Sequence, residues 1–298
     1  MSSRTASFAP GFLVGHHTDP DAETGCTVIV PPAGNVASCD VRGSSPGSRE
    51  IESLQTDNRL NEIHGLLLTG GSAWGLGAAD GVMAWLADEG IGYDTPMTRI
   101  PIVPTAVVFD LGTGRAEWPD AAAGRKACEA ATGSPIITGR VGAGTGCTVG
   151  KWAGREFSSP GGIGVASAVA DGHTVWALAA VNAIGDVIDG DGSTIAGTTN
   201  PDPHWLAPPG PHGASIDTVL AVVAVRADLT KRETRFLAAR GSDGITVSVD
   251  PAHTRYDGDI VFALAGPAQN PDDGTDVDLL GVLATQAVAE AVRNSVRR

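Results

Sequence analysis

Short apolar runs and helical repeats follow one another along this chain. Strands are predicted where apolar and β-branched residues cluster between turn residues, in the ranges 11–19, 27–30, 64–69, 106–109, 161–167, 173–181, 218–225, 245–249 and 260–265. Helices are predicted where apolar residues recur every three or four positions, in the ranges 76–86, 119–131, 230–239 and 276–296. This mixture predicts an α/β protein.

The helix after residue 230 has the most definite predicted ends. Thr230 and Glu233 have the spacing of a capping box, in which each side chain satisfies a backbone N–H at the start of the helix. Gly241 has the residue type that commonly ends a helix. We therefore expect this helix to run to about Ala239 and to end near Gly241, with a strand beginning at Ile245.

The apolar run at 218–225 follows a segment of different composition. Residues 200–214 are rich in Pro and Gly, and the predicted linker spans about 189–214. Asp217 and Thr218 stand at the start of the apolar run. One interpretation is a loop followed by a core strand. The other is that Thr218 is a nucleophile, exposed as a new chain start when the Asp217–Thr218 bond breaks.

Composition and charge exclude several kinds of partner. The 298 residues carry a formal net charge of −14, which argues against nucleic acid and anionic membranes as partners. No apolar run approaches the ~20 residues needed to span a bilayer, and residues 1–9 lack the apolar core of a signal peptide. The cysteines are expected to be reduced and structural, which favours a cytoplasmic location; they are Cys26, Cys39, Cys128 and Cys147.

Metal and nucleotide motifs are incomplete. His16 and His17 are adjacent, but no third histidine follows at ligand spacing, so a polar strand end is the favoured interpretation. The glycines at 142–150 resemble a phosphate-binding loop. However, Thr145 stands where that loop requires glycine, and Trp152 stands where it requires Ser or Thr. We predict neither a metal nor a cofactor.

Two polar sequences are candidates for site chemistry. In an extended Asp257-Gly258-Asp259 both carboxylates face one side, where their repulsion raises a pKa unless a cation such as Lys151 compensates. An Asp-Gly turn between strands is the alternative. Asn182 leaves a predicted strand, where its side chain can either cap a turn or direct an N–H into a site.

The chain resembles a known family in four motifs that appear in order. They are GGSAWGL at 70–76, VGAGTG at 141–146, VNAIGDV at 181–187, and PAHT at 251–254 continuing to DGDIVFAL at 257–264. With these motifs the chain resembles the self-processing L-aminopeptidase/D-esterase family, which includes β-aminopeptidases and 6-aminohexanoate-oligomer hydrolases. The resemblance extends from about Gly11 to Gly266.

The resemblance implies a fold and a processing event. The implied fold is an αββα sandwich of the N-terminal-nucleophile type, formed by one domain spanning 1–298. It further implies that the chain cuts itself before Thr218 into a larger fragment, 1–217, and a smaller fragment, 218–298, which stay associated. A homo-oligomer of processed protomers is implied by the family as well.

The resemblance also assigns site residues. Thr218 matches the nucleophile, Asn182 an oxyanion-binding asparagine and Lys151 a site lysine, while Asp257 and Asp259 match a supporting pair of acids. The family usually has Asn or Gly where this chain has Asp217.

Two aromatic residues are candidate substrate contacts. Phe109 lies near the position of a tyrosine in some family members and has no hydroxyl. With Trp74 it is a candidate wall of an apolar substrate pocket; core packing is the alternative.

The resemblance and these residue types together imply the expected activity. As a chain start, Thr218 has an α-amine with a pKa near ~7.7–8 that can take the proton of its own hydroxyl. We expect an aminopeptidase that acts through an acyl-enzyme on small N-terminal residues, β-peptides or ω-amino amides, so its partner is a small peptide or amide substrate. An unprocessed binding or scaffold protein and an acyltransferase using the same threonine are the alternatives.

Overall fold

The computed structural model describes residues 4–204, 217–268 and 275–297. In chain order the strands are β1 (Arg4–Ala6), β2 (Leu13–Asp19), β3 (Thr24–Val30), β4 (Val36–Val41), β5 (Ser48–Arg49), β6 (Leu66–Thr69), β7 (Tyr93–Asp94), β8 (Arg99–Ile100), β9 (Thr105–Val107), β10 (Ile136–Thr138), β11 (Thr148–Val149), β12 (Ser159–Pro160), β13 (Gly162–Ala170), β14 (His173–Asn182), β15 (Asp186–Ile188), β16 (Thr194–Ala196), β17 (Thr218–Arg226), β18 (Val249–Asp250) and β19 (Ile260–Gly266). The α-helices are α1 (Ala78–Asp88), α2 (Ala121–Glu129), α3 (Lys231–Thr246) and α4 (Val277–Val296). Short 3₁₀ helices span Ile51–Leu54, Ser72–Gly77, Gly142–Gly144, Lys151–Ala153 and Arg155–Phe157.

Two five-stranded sheets form the centre of the molecule. The first has the strand order β13-β14-β17-β19-β4, and the second has the order β2-β3-β6-β9-β5. Most neighbouring strands in these sheets are antiparallel, whereas β17 pairs with β19 and β6 pairs with β9 in parallel. In the first sheet, β17 therefore has a hydrogen-bonded neighbour on each side.

Alternate residues of β17 enter different cores. Leu220, Val222 and Ala224 lie in the core between the two sheets. Val219, Ala221, Val223 and Val225 lie in the core between the first sheet and helices α3 and α4. Successive side chains of a strand point to opposite faces, so a strand buried on both faces is a continuous apolar run in the sequence.

The helices form the two outer layers. α3 and α4 pack on the first sheet, and α1 and α2 contribute to a third core on the outer face of the second sheet. The layer order is therefore helix, sheet, sheet, helix, which confirms the predicted αββα sandwich. None of the helices in the described ranges combines the length and apolarity needed to cross a membrane.

Helix α3 is longer than predicted, and the predicted strand at 245–249 is wrong over most of its length. The helix continues through Gly241 to Thr246, and only Val249 and Asp250 form a strand. A Cβ at Gly241 would lie 2.8 Å from Val261 and 2.9 Å from Val223. Gly241 thus allows α3 to pack closely on the sheet, and it does not end the helix.

Several other predicted features have definite places. The predicted linker at 189–214 contains β16, which pairs with β15, and its residues 205–214 lie outside the described residues. His16 is partly buried and hydrogen-bonded through both ring nitrogens, to Thr27 and to the Ile137 carbonyl; desolvation lowers its pKa to about 4. The four cysteines are free and buried.

Candidate active site

The Asp217–Thr218 junction is buried at the start of β17. Asp217 is 1% exposed and Thr218 is 5% exposed. Thr218 pairs with Asn182 at the end of β14, and Asp217 forms a parallel bridge with Asp257 in the loop before β19. The sheet register therefore brings residues from three distant parts of the chain to one peptide bond.

Two hydrogen bonds converge on the carbonyl oxygen of Asp217. The backbone N–H of Gly258 donates to it at 2.9 Å, and the hydroxyl Oγ1 of Thr218 donates to it at 2.5 Å. A Cβ at Gly258 would lie 3.0 Å from Thr218 Oγ1 and 2.8 Å from the Ser45 carbonyl oxygen. A residue without a side chain is therefore needed for the loop to approach the junction this closely.

A buried ion pair neutralises Asp217. Lys151 Nζ lies 2.8 Å from Asp217 Oδ1, and each side chain is 2% exposed. Burial lowers the pKa of the Lys151 ammonium, an effect that the charge of Asp217 opposes. The sequence had suggested that Lys151 balances Asp257 and Asp259, whereas the structure pairs it with Asp217.

Asn182 is fixed by several groups. Its Nδ2 donates to the Phe109 carbonyl oxygen at 3.0 Å, and its Oδ1 accepts from the Thr148 N–H and from Lys151 Nζ, each at 3.0 Å. Lys151 Nζ also donates to the Asn182 backbone carbonyl at 3.0 Å. The Asn182 amide therefore positions Lys151 and the Phe109 backbone.

Asp259 contacts both the start of β17 and His253. Its Oδ1 accepts from the backbone N–H of Val219 at 2.6 Å, and its Oδ2 lies 2.7 Å from His253 Nδ1. Burial opposes protonation of His253, but the hydrogen bond and charge of Asp259 outweigh it, so the pKa of His253 is raised. His253, rather than Lys151, is the cation paired with the Asp257-Gly258-Asp259 segment.

Asp257 has an unusual protonation equilibrium. Its Oδ2 accepts from the backbone N–H and the hydroxyl of Thr254, at 2.7 and 2.6 Å. Burial, followed by the neighbouring charge of Asp259, raises the pKa of Asp257 to about 7. Asp257 is therefore partly protonated near neutral pH.

The two aromatic candidates differ in their surroundings. The Phe109 ring has the guanidinium of Arg155 5.6 Å from its centroid, and its backbone is bonded to Asn182. Trp74 is 65% exposed, and its ring stacks on Trp118 with centroids 5.0 Å apart. The structure thus joins Phe109 to the buried cluster through its backbone, while the ring contact of Trp74 is with Trp118.

Sequence reasoning gave no role to three residues of this site. They are His253, Thr254 and Gly258, which bond to Asp259, Asp257 and the Asp217 carbonyl respectively. All three lie within the motif at 251–264. Their closeness in sequence to Asp257 and Asp259 was the signal that could have indicated a role for them. No group of three or more His, Cys, Asp or Glu side chains within the described ranges is arranged to hold a metal ion.

Comparison with known proteins identifies the family. The model of peptidase family S58 matches residues 9–298. The chain belongs to peptidase family S58. This S58 member is 37% identical over 320 residues to an uncharacterized aminopeptidase of Mycobacterium tuberculosis, covering 95% of this chain and 90% of the relative. It is 28% identical over 270 residues to a 6-aminohexanoate-oligomer endohydrolase of Kocuria sp., covering 86% of this chain and 73% of the relative.

Two solved aminopeptidase structures show the same fold. A Burkholderia β-aminopeptidase superposes with a TM-score of 0.72 at 23% identity, covering 96% of this chain and 84% of that one. The L-aminopeptidase D-Ala-esterase/amidase of Ochrobactrum anthropi, described as a variant of the Ntn hydrolase fold, gives a TM-score of 0.75 at 19% identity, covering 99% and 87%. This S58 member is an aminopeptidase-type amidohydrolase with the N-terminal-nucleophile fold.

Proposed function

We propose that this protein is a self-cleaving N-terminal-threonine amidohydrolase. In this proposal Thr218 cuts the bond before itself and then hydrolyses amide substrates as the first residue of the smaller fragment. The observation that carries the proposal is the placement of the Thr218 hydroxyl and the Gly258 N–H on the same Asp217 carbonyl oxygen. Family membership adds the expectation of amide-bond chemistry.

The first cut is an attack of Thr218 Oγ on the Asp217 carbonyl carbon. The carbonyl oxygen gains negative charge in the transition state, and a donor already aimed at it, here the Gly258 N–H, stabilises that charge. The hydroxyl proton passes to the leaving nitrogen, and the peptide bond becomes an ester. Water then hydrolyses the ester, which leaves the Asp217 carboxylate and the free amine and hydroxyl of Thr218.

The side chain of Asp217 is compatible with this step. An unpaired carboxylate beside the developing oxyanion would oppose it by repulsion. Lys151 Nζ lies 2.8 Å from that carboxylate and neutralises it. The Asp217–Lys151 pair thus removes the electrostatic repulsion that would oppose cleavage at this junction.

The second stage uses the new amine as base. Its pKa near ~7.7–8 leaves a fraction neutral at pH 7, able to take the proton of the Thr218 hydroxyl. In this proposal Asp259 and Asp257 orient that amine; the bond from the Val219 N–H to Asp259 supports the role of Asp259. Asn182 becomes the oxyanion donor of this stage if its Nδ2 turns from the Phe109 carbonyl to the substrate.

The proposed substrates are small amides with a free amine. Relatives include a 6-aminohexanoate-oligomer endohydrolase, and a β-aminopeptidase shares the fold. These likenesses support N-terminal residues, β-peptides and ω-amino amides as substrate classes. The processed protomers are further proposed to form a cytoplasmic homo-oligomer.

N-terminal sequencing and intact mass spectrometry of the purified protein test the proposal. Two fragments are expected, one corresponding to 1–217 and one beginning with Thr218. Hydrolysis of alanyl and β-alanyl p-nitroanilides should accompany them. A protein that stays full length and still hydrolyses these amides would overturn the mechanism.

A further inference from the structure

The nucleophile faces an acidic acyl group in the uncut chain. The Thr218 hydroxyl donates a hydrogen bond to the Asp217 carbonyl oxygen, so the acyl group beside the nucleophile is an α-aspartyl group. The side chain of that group is buried, at 2% exposure. The site is therefore already built around a carboxylate next to the carbonyl that Thr218 attacks.

Two cations act on that carboxylate. Lys151 Nζ lies 2.8 Å from Asp217 Oδ1. The partly buried Arg155, which lies beside the Phe109 ring, also interacts electrostatically with Asp217. Lys151 is itself held by two oxygen atoms of Asn182, so its ammonium has a fixed direction. A fixed, buried ammonium discriminates strongly between a carboxylate and a neutral amide of the same shape.

Two acidic residues also lie at the junction. Asp257 bridges to Asp217 through the backbone, and Asp259 binds the Val219 N–H immediately after Thr218. Thr218 thus has a Lys151–carboxylate pair and two acidic groups near it, of which Asp259 is paired with His253. An N-terminal aspartyl residue has the matching pair of groups, an ammonium and a side-chain carboxylate.

We propose that the mature enzyme prefers acyl groups that carry a side-chain carboxylate, namely N-terminal α-aspartyl residues, with Lys151 binding that carboxylate. The proposal rests on the proposed function, because it requires Thr218 as nucleophile. In the uncut chain the Lys151 ammonium has the Asp217 carboxylate as its charge partner. A substrate aspartyl group that takes the position of Asp217 brings the same carboxylate to this ammonium, whereas an asparaginyl group brings none.

The reaction is a hydrolysis in two balanced steps. The Thr218 oxygen bonds to the aspartyl carbonyl carbon, the carbon–nitrogen bond breaks, and the hydroxyl proton leaves with the amine product. Water then cleaves the aspartyl ester and restores the hydroxyl. The products are free aspartate and the amine or shortened peptide.

A comparison of isosteric substrates tests the preference on the purified wild-type protein. L-Aspartyl and L-asparaginyl p-nitroanilides differ in charge and hardly in shape, and L-alanyl and β-alanyl p-nitroanilides serve as neutral references. We expect kcat/KM for the aspartyl substrate to exceed that for the asparaginyl substrate by roughly tenfold or more, as for a buried charge pair. An equal or lower value overturns the substrate proposal.

The four substrates separate the two proposals. Turnover of the alanyl or β-alanyl substrate without an aspartyl preference overturns the substrate class and leaves the threonine mechanism standing. Lack of turnover of all four overturns both. The two results therefore have different consequences.

Variants locate the preference. Lys151→Met is expected to lower the aspartyl-to-asparaginyl ratio to about one, as for the loss of a charged partner. The matched control Lys126→Met alters an exposed lysine of α2 and should keep the wild-type ratio. If Lys151→Met blocks self-cleavage, Arg155→Met provides the second measurement, and its ratio should also fall. An unchanged ratio in either altered site overturns the assignment of that residue.

Discussion

The backbone N–H of Gly258 donates to the carbonyl oxygen of Asp217 at 2.9 Å, across the bridge between Asp217 and Asp257. Gly258 stands between the two acids of the site, so one three-residue segment provides two carboxylates and one backbone donor. The donor is held by the fold and does not depend on a side-chain rotamer. Such preorganised donors stabilise the charge that develops on a carbonyl oxygen under attack.

Thr218→Ala is expected to give a single uncut chain without amide hydrolysis, because alanine has no hydroxyl to attack the Asp217 carbonyl. Thr218→Ser should still be cut, since serine keeps the nucleophilic oxygen. Denaturing gels and p-nitroanilide assays measure both outcomes. Thr132→Ala, at an exposed threonine, is the control and should be processed like the wild type.

Gly258→Ala is expected to slow self-cleavage by roughly 100-fold, the effect typical of misplacing reacting groups by about 1 Å. The added Cβ would lie 2.8 Å from the Ser45 carbonyl oxygen and 3.0 Å from Thr218 Oγ1, so the loop must shift. The rate at which the smaller fragment forms after synthesis is the measurement. Gly133→Ala adds the same methyl group where nothing lies within 4 Å. Equal cleavage rates for the two variants would contradict the proposed role of Gly258.

Asp217→Leu should destabilise the protein strongly, because it leaves the Lys151 ammonium buried without its carboxylate. Breaking a buried ion pair from one side typically costs about 3–5 kcal/mol. The free energy of unfolding is measured in urea, with Thr218→Ala as the parent so that the chain stays intact. Asp94→Leu removes an exposed pair with Arg99 and should cost far less. A loss no greater than that of the Asp94 variant would show that the buried pair contributes little.

Asp257 should make stability depend on pH. Its carboxyl ionises near ~4 in the unfolded chain, and its pKa is about 7 in the folded chain. Between these values the folded state binds more protons, so the Asp257 contribution to the free energy of unfolding falls as pH rises from about 4 to about 7. The Thr218→Ala protein should therefore lose stability relative to its Asp257→Asn derivative over this window.

Thermal unfolding of the two proteins at several pH values measures this difference. Asp171→Asn is a suitable control, because Asp171 is an exposed turn residue with φ of 47°, a conformation that Asn tolerates well. Its curve should run parallel to that of the parent. Parallel curves for Asp257→Asn as well would argue against a raised pKa at this position.

The sequence predicted well those features that a local pattern determines. The apolar runs of β14 and β17 are such local signals, and the structure has both strands where they were predicted. Gly241 was wrongly predicted to end α3, because the close packing of a helix on a sheet has no signal in the local sequence. The partner of Lys151 could not be predicted either, since Asp217 meets it only after β14 and β17 pair.

The position of β17 in the first sheet determines what a cut at its first residue can do. β17 and β19 both lie after the junction, and they are flanked by β14 and β4, which both lie before it. The smaller fragment would thus fill the middle of a sheet whose remaining strands belong to the larger one. Separation of the two fragments would require breaking the backbone hydrogen bonds between β14 and β17 and between β19 and β4. It would also expose the apolar cores on both faces of the first sheet. Hydrolysis of this peptide bond would therefore leave the two fragments joined through one sheet, with rearrangement limited to the residues next to the new chain ends.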